Sequence, residues 1–188
     1  MGIKIEPYKI KKDTRLYRFL NIKPEEFRYG MSRNCGKDGR CNLHRDIYYC
    51  CGSIDAILQE YIWEDLNGII VPAVVKHTII CGKVVDEETH VKLRGRVNEE
   101  PDLIHKEVLA PLGKDVVTSY EETNKIADEV IKKFPHGLVY SSVHSIDTVI
   151  GNNIFNIGEE MSYSNIALTE GGFKYIKQLQ PYEFRFRQ

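Results

Sequence analysis

The chain has 188 residues, a net charge of −1, an apolar fraction of 42% and a charged fraction of 28%. This length and composition indicate one soluble globular domain, and the balanced charge gives no electrostatic basis for binding nucleic acid or an anionic membrane surface. No run approaches the roughly eighteen apolar residues that a membrane-spanning helix needs, and the N-terminus lacks the apolar core of a signal peptide, so we expect a cytoplasmic protein.

The N-terminal quarter is predicted to hold one strand and a long irregular stretch. Residues 1–14 are polar and are expected to form a loose lead-in to a single domain that spans residues 15–188. Arg15–Leu20 (RLYRFL) is a predicted strand with Arg18 on the same face as two leucines, where it pairs with a carboxylate or faces a ligand. Residues 21–38 are broken by one proline and two glycines, which predicts a loop.

The centre of the chain reads as strand, turn, helix and two further strands. A β-rich run at Asp46–Cys51 leads through a Gly-Ser turn into a helix with an apolar stripe at spacings of three and four. Gly68 is expected to end this helix as a C-cap. Two β-branched runs follow at Ile69–Val75 and Thr78–Val85, and Pro72 in the first suggests an edge strand or a bulge.

The C-terminal half adds helices and more strands. A short strand is predicted at His90–Leu93, a short helix at Asp102–Ala110, and a longer helix that Thr118 or Ser119 caps and Pro135 ends. The remaining predicted strands are Leu138–Ser142, Val149–Ile157, Asn165–Leu168 and Phe184–Phe186. Because strands outnumber helices and do not alternate regularly with them, we predict an α+β domain with a mixed β-sheet and flanking helices.

Three residues near the centre suit one class of substrate. Arg40, Tyr49 and Glu60 would together offer a cation, an aromatic face and a carboxylate. Such a set fits a molecule that is anionic at one place, flat at another and cationic in its transition state, as a nicotinamide dinucleotide is. Lys37 and Arg40 also bracket Gly39, where backbone amides and two cations can approach an anion. The helical pattern puts Glu60 off the apolar stripe, which permits a cleft-lining carboxylate.

Six segments of the chain, taken in order, resemble those of one family. They are LYRF at Leu16–Phe19, GRCN at Gly39–Asn42, IYYCCGSIDAILQE at Ile47–Glu60, YEETNKIA at Tyr120–Ala127, GLVYSSV at Gly137–Val143 and NIAL at Asn165–Leu168. Together they resemble the RES-domain family, which is named for an Arg, a Glu and a Ser. The resemblance implies that the active-site residues are Arg40, Tyr49, Glu60 and Ser142. The chain departs from the family at Cys41, where the family usually has an aromatic residue.

The resemblance also implies a fold and an activity. The fold is similar to that of ADP-ribosyltransferases, with a split, mixed β-sheet core that clasps NAD. Family members consume NAD as a substrate, by phosphorolysis with phosphate as co-substrate, by hydrolysis, or by attaching ADP-ribose to a protein, and no metal is expected. They include toxins whose partner antitoxins block the active site. The sequence leaves open the acceptor, the presence of an antitoxin and the existence of a homodimer.

Each candidate residue has an expected role in this chemistry. Cleavage of the nicotinamide–ribose bond puts positive charge on the sugar. A carboxylate such as Glu60 at about 4 Å would stabilise that charge by roughly 4 kcal/mol at an effective dielectric near 20, or about three powers of ten in rate. Arg40 would hold a phosphate oxygen, Tyr49 would pack its ring on nicotinamide or ribose, and Ser142 would position substrate without acting as a nucleophile. The further residues expected to bind NAD are Arg18, Lys37 and Asn42.

Cysteine usage suggests a different function, that of a metal-binding module. Four of the five cysteines lie between residues 35 and 51, and in a cytosolic chain these are expected to be reduced thiols. A zinc-binding interaction module would use Cys35, Cys41, His44 and either Cys50 or Cys51. Their spacing departs from the paired C-x2-4-C pattern of structural zinc sites, and a cysteine that ends an apolar strand usually acts as a small hydrophobe.

Ser142 also suggests a serine hydrolase. Such an enzyme would use Ser142, His144 and Asp147, but these lie too close together for a triad and no G-x-S-x-G elbow is present. A non-catalytic, NAD-binding member of the same fold would instead keep the pocket without turnover. Release of free nicotinamide from NAD separates that module from an enzyme.

Overall fold

The computed structural model describes residues 2–31, 39–60, 66–97, 106, 110–111, 115–141 and 164–186. Eleven strands and four α-helices lie within these ranges. The strands are β1 (Ile5–Ile10), β2 (Arg15–Leu20), β3 (Tyr48–Cys51), β4 (Leu66–Val75), β5 (Ile79–Val84), β6 (Arg96–Val97), β7 (Val117–Thr118), β8 (Gly137–Ser141), β9 (Ser164–Leu168), β10 (Ile176–Gln178) and β11 (Tyr182–Phe186). The helices are α1 (Ile54–Glu60), α2 (Glu87–Arg94), α3 (Tyr120–Lys133) and α4 (Glu170–Phe173), and Pro24–Glu26 forms a short 3-10 turn. No helix in the described ranges is long and apolar enough to cross a membrane.

Nine strands form one mixed sheet, in the order β1-β5-β8-β9-β3-β2-β4-β10, with β11 also paired to β4. Strands β5 and β8 are parallel, and the other neighbours in this sheet are antiparallel. Strands β6 and β7 form a separate two-stranded parallel sheet. The protein is thus a mixed α and β fold with a large mixed sheet and few helices, as the strand-rich sequence predicted.

One face of the large sheet carries the three longer helices, and we call it the helix face. Directly paired residues share a face, and one row across this face runs through Tyr140, Asn165, Cys51, Tyr17 and Pro72. At one end of the face, α1 packs against β2 and β4; at the other, α2 and α3 pack near β5 and β8. Strand β3 lies between these two helical layers, so its outward side chains face the gap.

The opposite face of the sheet buries the other half of the core. Its fully buried side chains come from alternate positions of the same strands, including Leu16, Tyr48 and Ile166. Phe173 and Tyr175, from α4 and the turn after it, pack against them. Because successive strand residues alternate between faces, Tyr48 and Cys50 belong to this side, whereas Tyr49 and Cys51 belong to the helix face.

The prediction that residues 1–14 form a loose lead-in is wrong for Ile5–Ile10. This segment is an edge strand, paired along its whole length with β5, and Ile10 is fully buried. An edge strand needs few apolar residues, and the lysines and proline that made it look like a loop are typical of a protected sheet edge.

The predicted helix after β3 begins correctly and ends wrongly. Ser53 caps it, since its hydroxyl accepts a hydrogen bond from the Ala56 amide at 3.1 Å. Leu66 already lies in β4, and so does Gly68, where an added Cβ would stand 2.2 Å from the Leu20 carbonyl oxygen. A short apolar run such as Leu66–Val75 can form either a helix or a buried strand. The spacing of its apolar residues therefore led to the first residues of the run being assigned to the helix instead of to β4.

Pro72 does not mark an edge. It sits inside β4, between β2 on one side and the β10–β11 pair on the other. Its carbonyl accepts from the Leu179 amide at 2.8 Å. In an antiparallel strand the N–H and C=O of one residue point to the same side, so the missing N–H faces the junction between β10 and β11 and costs no bond to β2.

The prediction of a short strand at His90–Leu93 is wrong, whereas the predicted start of the longer helix is confirmed. His90–Leu93 is helical, because the Asp86 side chain caps α2 by accepting from the Thr89 amide at 2.9 Å. Helix α3 has the predicted cap at Ser119, which forms a capping box with Glu122. The predicted segments that lie wholly or largely outside the described residues are Asp102–Ala110 and Val149–Ile157.

Candidate functional site

The candidate site is built around residues 39–45, which we call the Arg40 loop. This loop precedes β3 on the helix face, where Cys41 joins the hydrophobic cluster of α2, α3 and β8. Cys41 is fully buried and Asn42 is 2% exposed, so the loop is packed into the domain rather than solvated. A buried loop must satisfy its backbone polar groups within the protein.

Tyr49 joins the strand to the loop. Its hydroxyl accepts a hydrogen bond from the Cys41 amide at 3.0 Å and donates to the Asn42 Oδ1 at 3.3 Å. Burial raises the pKa of Tyr49 well above its ordinary value, and the neighbouring Cys41 thiol adds to this effect. Tyr49 is therefore a neutral hydrogen-bonding group at physiological pH.

Gly39 is required by close packing within the loop. A Cβ at this position would lie 1.9 Å from Asn42 Oδ1, the atom that accepts from Tyr49. Glycine at this position thus leaves space for the buried side-chain amide of Asn42, in addition to any bend that it allows in the backbone.

Arg40 lies at the end of α2. Its Nη1 donates to the Leu93 carbonyl at 3.2 Å and to the Gly95 carbonyl at 2.7 Å. The last carbonyls of a helix lack intrahelical partners and carry partial negative charge, which favours a cation there. Within the described residues both hydrogen bonds of Arg40 come from Nη1, so Nε and Nη2 remain as donors on the same half-buried guanidinium.

Asn124 of α3 was missed by the sequence interpretation. Its Nδ2 donates to the Gly39 carbonyl at 2.8 Å, and its Oδ1 accepts from the Leu43 amide at 2.9 Å. One helical turn later, Asp128 forms an ion pair with Arg45, whose Nη1 donates to the Cys41 carbonyl at 3.1 Å. A buried asparagine within an amphipathic helix is the only signal that the sequence offers for this role.

Glu60 is the last residue of α1, which begins two residues after β3. Strands β3 and β8 are both antiparallel to β9, so they run in the same direction and end at the same edge of the sheet. They are two strand spacings, or about 10 Å, apart. Helix α1 starts at this edge, and β8 ends there at Ser141. The predicted residues Ser142 and Lys37 lie outside the described residues.

Arg18 lies on the opposite face of the sheet from Arg40, Asn42 and Tyr49. Its guanidinium carbon stands 5.0 Å from the centre of the Tyr48 ring, a cation–π contact with a fully buried aromatic. Tyr48 and Arg18 follow the alternation of β3 and β2 away from the helix face. The structure therefore brings Arg40, Asn42 and Tyr49 together and leaves Arg18 apart from them.

The zinc ligand set that includes Cys50 does not converge. Cys41 belongs to the cluster on the helix face, and Cys50 belongs to the cluster on the other side of the sheet. In the part of the chain that the structure describes, no group of three or more His, Cys, Asp or Glu side chains is arranged to hold a metal.

Comparisons with protein-family models, curated proteins and solved structures found no match to this chain. The resemblance of the six segments to RES domains therefore stays a prediction.

Proposed function

We propose that this protein is an NAD-consuming enzyme, similar to the RES-domain toxins, with an ADP-ribosyltransferase-like split-sheet fold. It cleaves the bond between nicotinamide and ribose and passes ADP-ribose to phosphate, to water or to a protein side chain. The observation that best supports the proposal is that the Tyr49 hydroxyl bonds the Cys41 amide and the Asn42 side chain, which holds Tyr49 and Asn42 next to the loop that carries Arg40.

Arg40 supplies the anion-binding group in this proposal. Its Nη1 is fixed by two carbonyls, which orients the guanidinium plane and reduces the side-chain entropy lost when a ligand binds. Nε and Nη2 are left to donate charge-assisted hydrogen bonds to a diphosphate oxygen. A lysine would keep the charge but lose the two-sided geometry.

Tyr49 contributes its ring rather than its hydroxyl. The hydroxyl is occupied by the Cys41 amide and the Asn42 side chain, and the raised pKa keeps it protonated. A ring held in this way offers a rigid flat surface for nicotinamide or ribose. Tyr49 is accordingly not a nucleophile or a general base in the proposed reaction.

Glu60 and Ser142 complete the proposed site. Glu60 would stabilise the positive charge that develops on the ribose, through space or through a ribose hydroxyl. Ser142 would position the substrate by hydrogen bonding. The support for including Ser142 is that β8 ends just before it, at the edge of the sheet where α1 begins two strands away. Glu60, the last residue of α1, is included because of the resemblance to RES domains.

A partner that blocks this site is part of the proposal. An antitoxin bound to the enzyme would cover Arg40 and Tyr49, so that NAD in the cell could not reach the site. Co-expression with a candidate partner, followed by measurement of NAD levels, would show protection if that partner blocks the site.

The role of Glu60 is tested by Glu60→Gln, with Asp55→Asn on the same helix as the control. Asp55 is exposed, so its amide variant keeps a similar change of charge without touching the site. We expect nicotinamide release by Glu60→Gln to fall by about two to three powers of ten at nearly unchanged thermal stability. Equal rates for Glu60→Gln and the wild type would remove Glu60 from the mechanism.

A further inference from the structure

We propose that Asn124 is a positioning residue that sets the conformation of the Arg40 loop, and that it controls NAD affinity through Arg40 and Asn42 without touching the substrate. The proposal rests on the proposed function for its kinetic consequence, but its structural part stands on contacts within the protein. Asn124 itself has no catalytic role in the proposed reaction.

The Asn124 amide closes the loop at both ends. Its Nδ2 donates to the Gly39 carbonyl, just before Arg40, and its Oδ1 accepts from the Leu43 amide, just after Asn42. Nδ2 also donates to the Tyr120 carbonyl at 2.7 Å, one turn back in α3. This side chain donates two hydrogen bonds from one atom and accepts one at another, which a carboxamide can do and a hydroxyl, with its single O–H, cannot.

The anchor is rigid because α3 is rigid. Asn124 is 1% exposed, and Ala127 and Val130 on the same helix are fully buried against the sheet. The capping box of Ser119 and Glu122 fixes the helix start. Because the Asn124 carboxamide joins this capped helix to the buried Arg40 loop, the position of the helix determines the position of the loop.

A second contact from α3 supports the same function. Asp128 pairs with Arg45, and Arg45 donates to the Cys41 carbonyl. Asn124 thus holds the loop at Gly39 and Leu43, and Asp128, four residues later on the same helix, holds Arg45, which bonds Cys41 within the loop. Arg40 and Asn42 lie between these points, so their backbone has little freedom.

Loss of the amide should release the loop before it unfolds the domain. In Asn124→Ala, the Gly39 carbonyl and the Leu43 amide lose their partner in a buried place. In Asn124→Asp, an oxygen still accepts from Leu43, while the donor to Gly39 and Tyr120 is replaced by a second acceptor. The two variants therefore separate the two ends of the loop.

The structural part is tested by backbone amide hydrogen exchange at Leu43 in wild type, Asn124→Ala, Asn124→Asp and Val130→Ala. Val130→Ala is the matched control, because it opens a cavity in the same helix and removes no hydrogen bond to the loop. We expect exchange at Leu43 to become about tenfold faster or more in Asn124→Ala and to stay slow in Asn124→Asp. Unchanged exchange at Leu43 in Asn124→Ala, or equal acceleration in Val130→Ala, would overturn the proposal.

The kinetic part is tested by NAD turnover of the same variants. A positioning role raises the KM for NAD about tenfold in Asn124→Ala with a smaller change in kcat, whereas Val130→Ala lowers thermal stability and leaves KM in place. Equal KM values in Asn124→Ala and wild type would overturn the kinetic part. If wild type itself does not turn over NAD, the proposed function fails, and the exchange data decide the structural part alone.

Discussion

The hydroxyl oxygen of Tyr49 lies 3.0 Å from the backbone nitrogen of Cys41, so the strand that carries the predicted aromatic residue also fixes the loop that carries the predicted arginine. Eight positions separate the two residues in sequence. This bond fixes the position of the loop relative to strand β3. It thereby also fixes the position of Arg40 relative to Tyr49, the two candidate NAD contacts. Because burial keeps the phenol protonated, the bond persists across the physiological pH range.

Tyr49→Phe should destabilise the protein while it keeps the ring. The Cys41 amide and the Asn42 side chain both lose the Tyr49 hydroxyl as a partner, which should lower the free energy of unfolding by about 1–3 kcal/mol. Urea denaturation measures this change. Tyr29→Phe is the control, since Tyr29 is 64% exposed and should tolerate loss of its hydroxyl. Equal unfolding midpoints for Tyr49→Phe and wild type would mean that the hydroxyl bond contributes nothing.

Arg40→Ala should loosen the end of α2 and weaken NAD binding together. The Leu93 and Gly95 carbonyls lose a cationic donor in a half-buried place, at a cost of roughly 2 kcal/mol. Arg28→Ala is a matched control, because Arg28 also donates from Nη1 to two carbonyls but does so in an exposed turn. We expect little effect on stability there and no effect on the KM for NAD.

The outcome for Arg40 separates its two roles. Loss of stability with an unchanged KM would make Arg40 a helix cap and nothing more. A raised KM with unchanged stability would make it a ligand-binding residue whose carbonyl contacts are incidental. We expect both to change, and denaturation together with steady-state kinetics measures them.

Stability should fall as the pH rises above about 9. Burial raises the pKa of the Cys41 and Cys81 thiols to about 12, from an ordinary value of 9.0. Between these values the unfolded chain releases protons that the folded chain retains, so the unfolded state is favoured by about 1.4 kcal/mol per pH unit for each such thiol. Burial also raises the pKa of Tyr48 to about 12, which adds to the loss above pH 10.

Cys81→Ala provides the check on this pH dependence. Removing one of the titrating thiols should make the fall in unfolding free energy between about pH 9 and pH 10.5 shallower than in wild type, whatever the variant's stability at pH 7. Parallel curves for the two proteins would show that Cys81 is not protonated and buried as the structure has it.

The Arg96–Asp115 ion pair should be important for stability. Both side chains are largely buried, with Nε and Nη2 of Arg96 donating to the two carboxylate oxygens at 2.8 and 2.9 Å. Asp115→Asn removes the carboxylate charge from this largely buried, two-bond pair, which should cost about 3–5 kcal/mol in thermal or urea unfolding. Glu121→Gln breaks the exposed Glu121–Lys125 pair and should change stability little. A similar effect of the two variants would contradict the expected difference.

The sequence predicted best the elements whose signals are local. The capping box at Ser119 and the aromatic and leucine residues of β2 are both signals that lie within a few positions of each other. Edge strand β1 was missed because its stability comes from pairing with β5, whose residues are 69 to 79 positions away in sequence. The end of α1 and the start of β4 were misassigned because an apolar run fits either structure.

The sequence was enough to name candidate residues for the site, but not to predict how they lie relative to one another. The resemblance to RES domains and the charge pattern named Arg40, Asn42 and Tyr49 as candidates; the structure puts the three on one face of the sheet, and their part in NAD binding stays a prediction. Arg18 seemed equivalent in the sequence, yet strand alternation puts it across the sheet. Asn124 could not be predicted, because its partners at Gly39 and Leu43 are more than eighty positions away and only the fold brings them near.

The most direct test is incubation of the purified protein with NAD, with and without phosphate, and identification of the products by mass spectrometry. We predict release of free nicotinamide, accompanied by ADP-ribose-1″-phosphate for phosphorolysis, ADP-ribose for hydrolysis, or a mass increment on an added protein for transfer. Glu60→Gln should release nicotinamide far more slowly under every condition. Intact NAD after prolonged incubation of the wild type under all of these conditions would contradict the account.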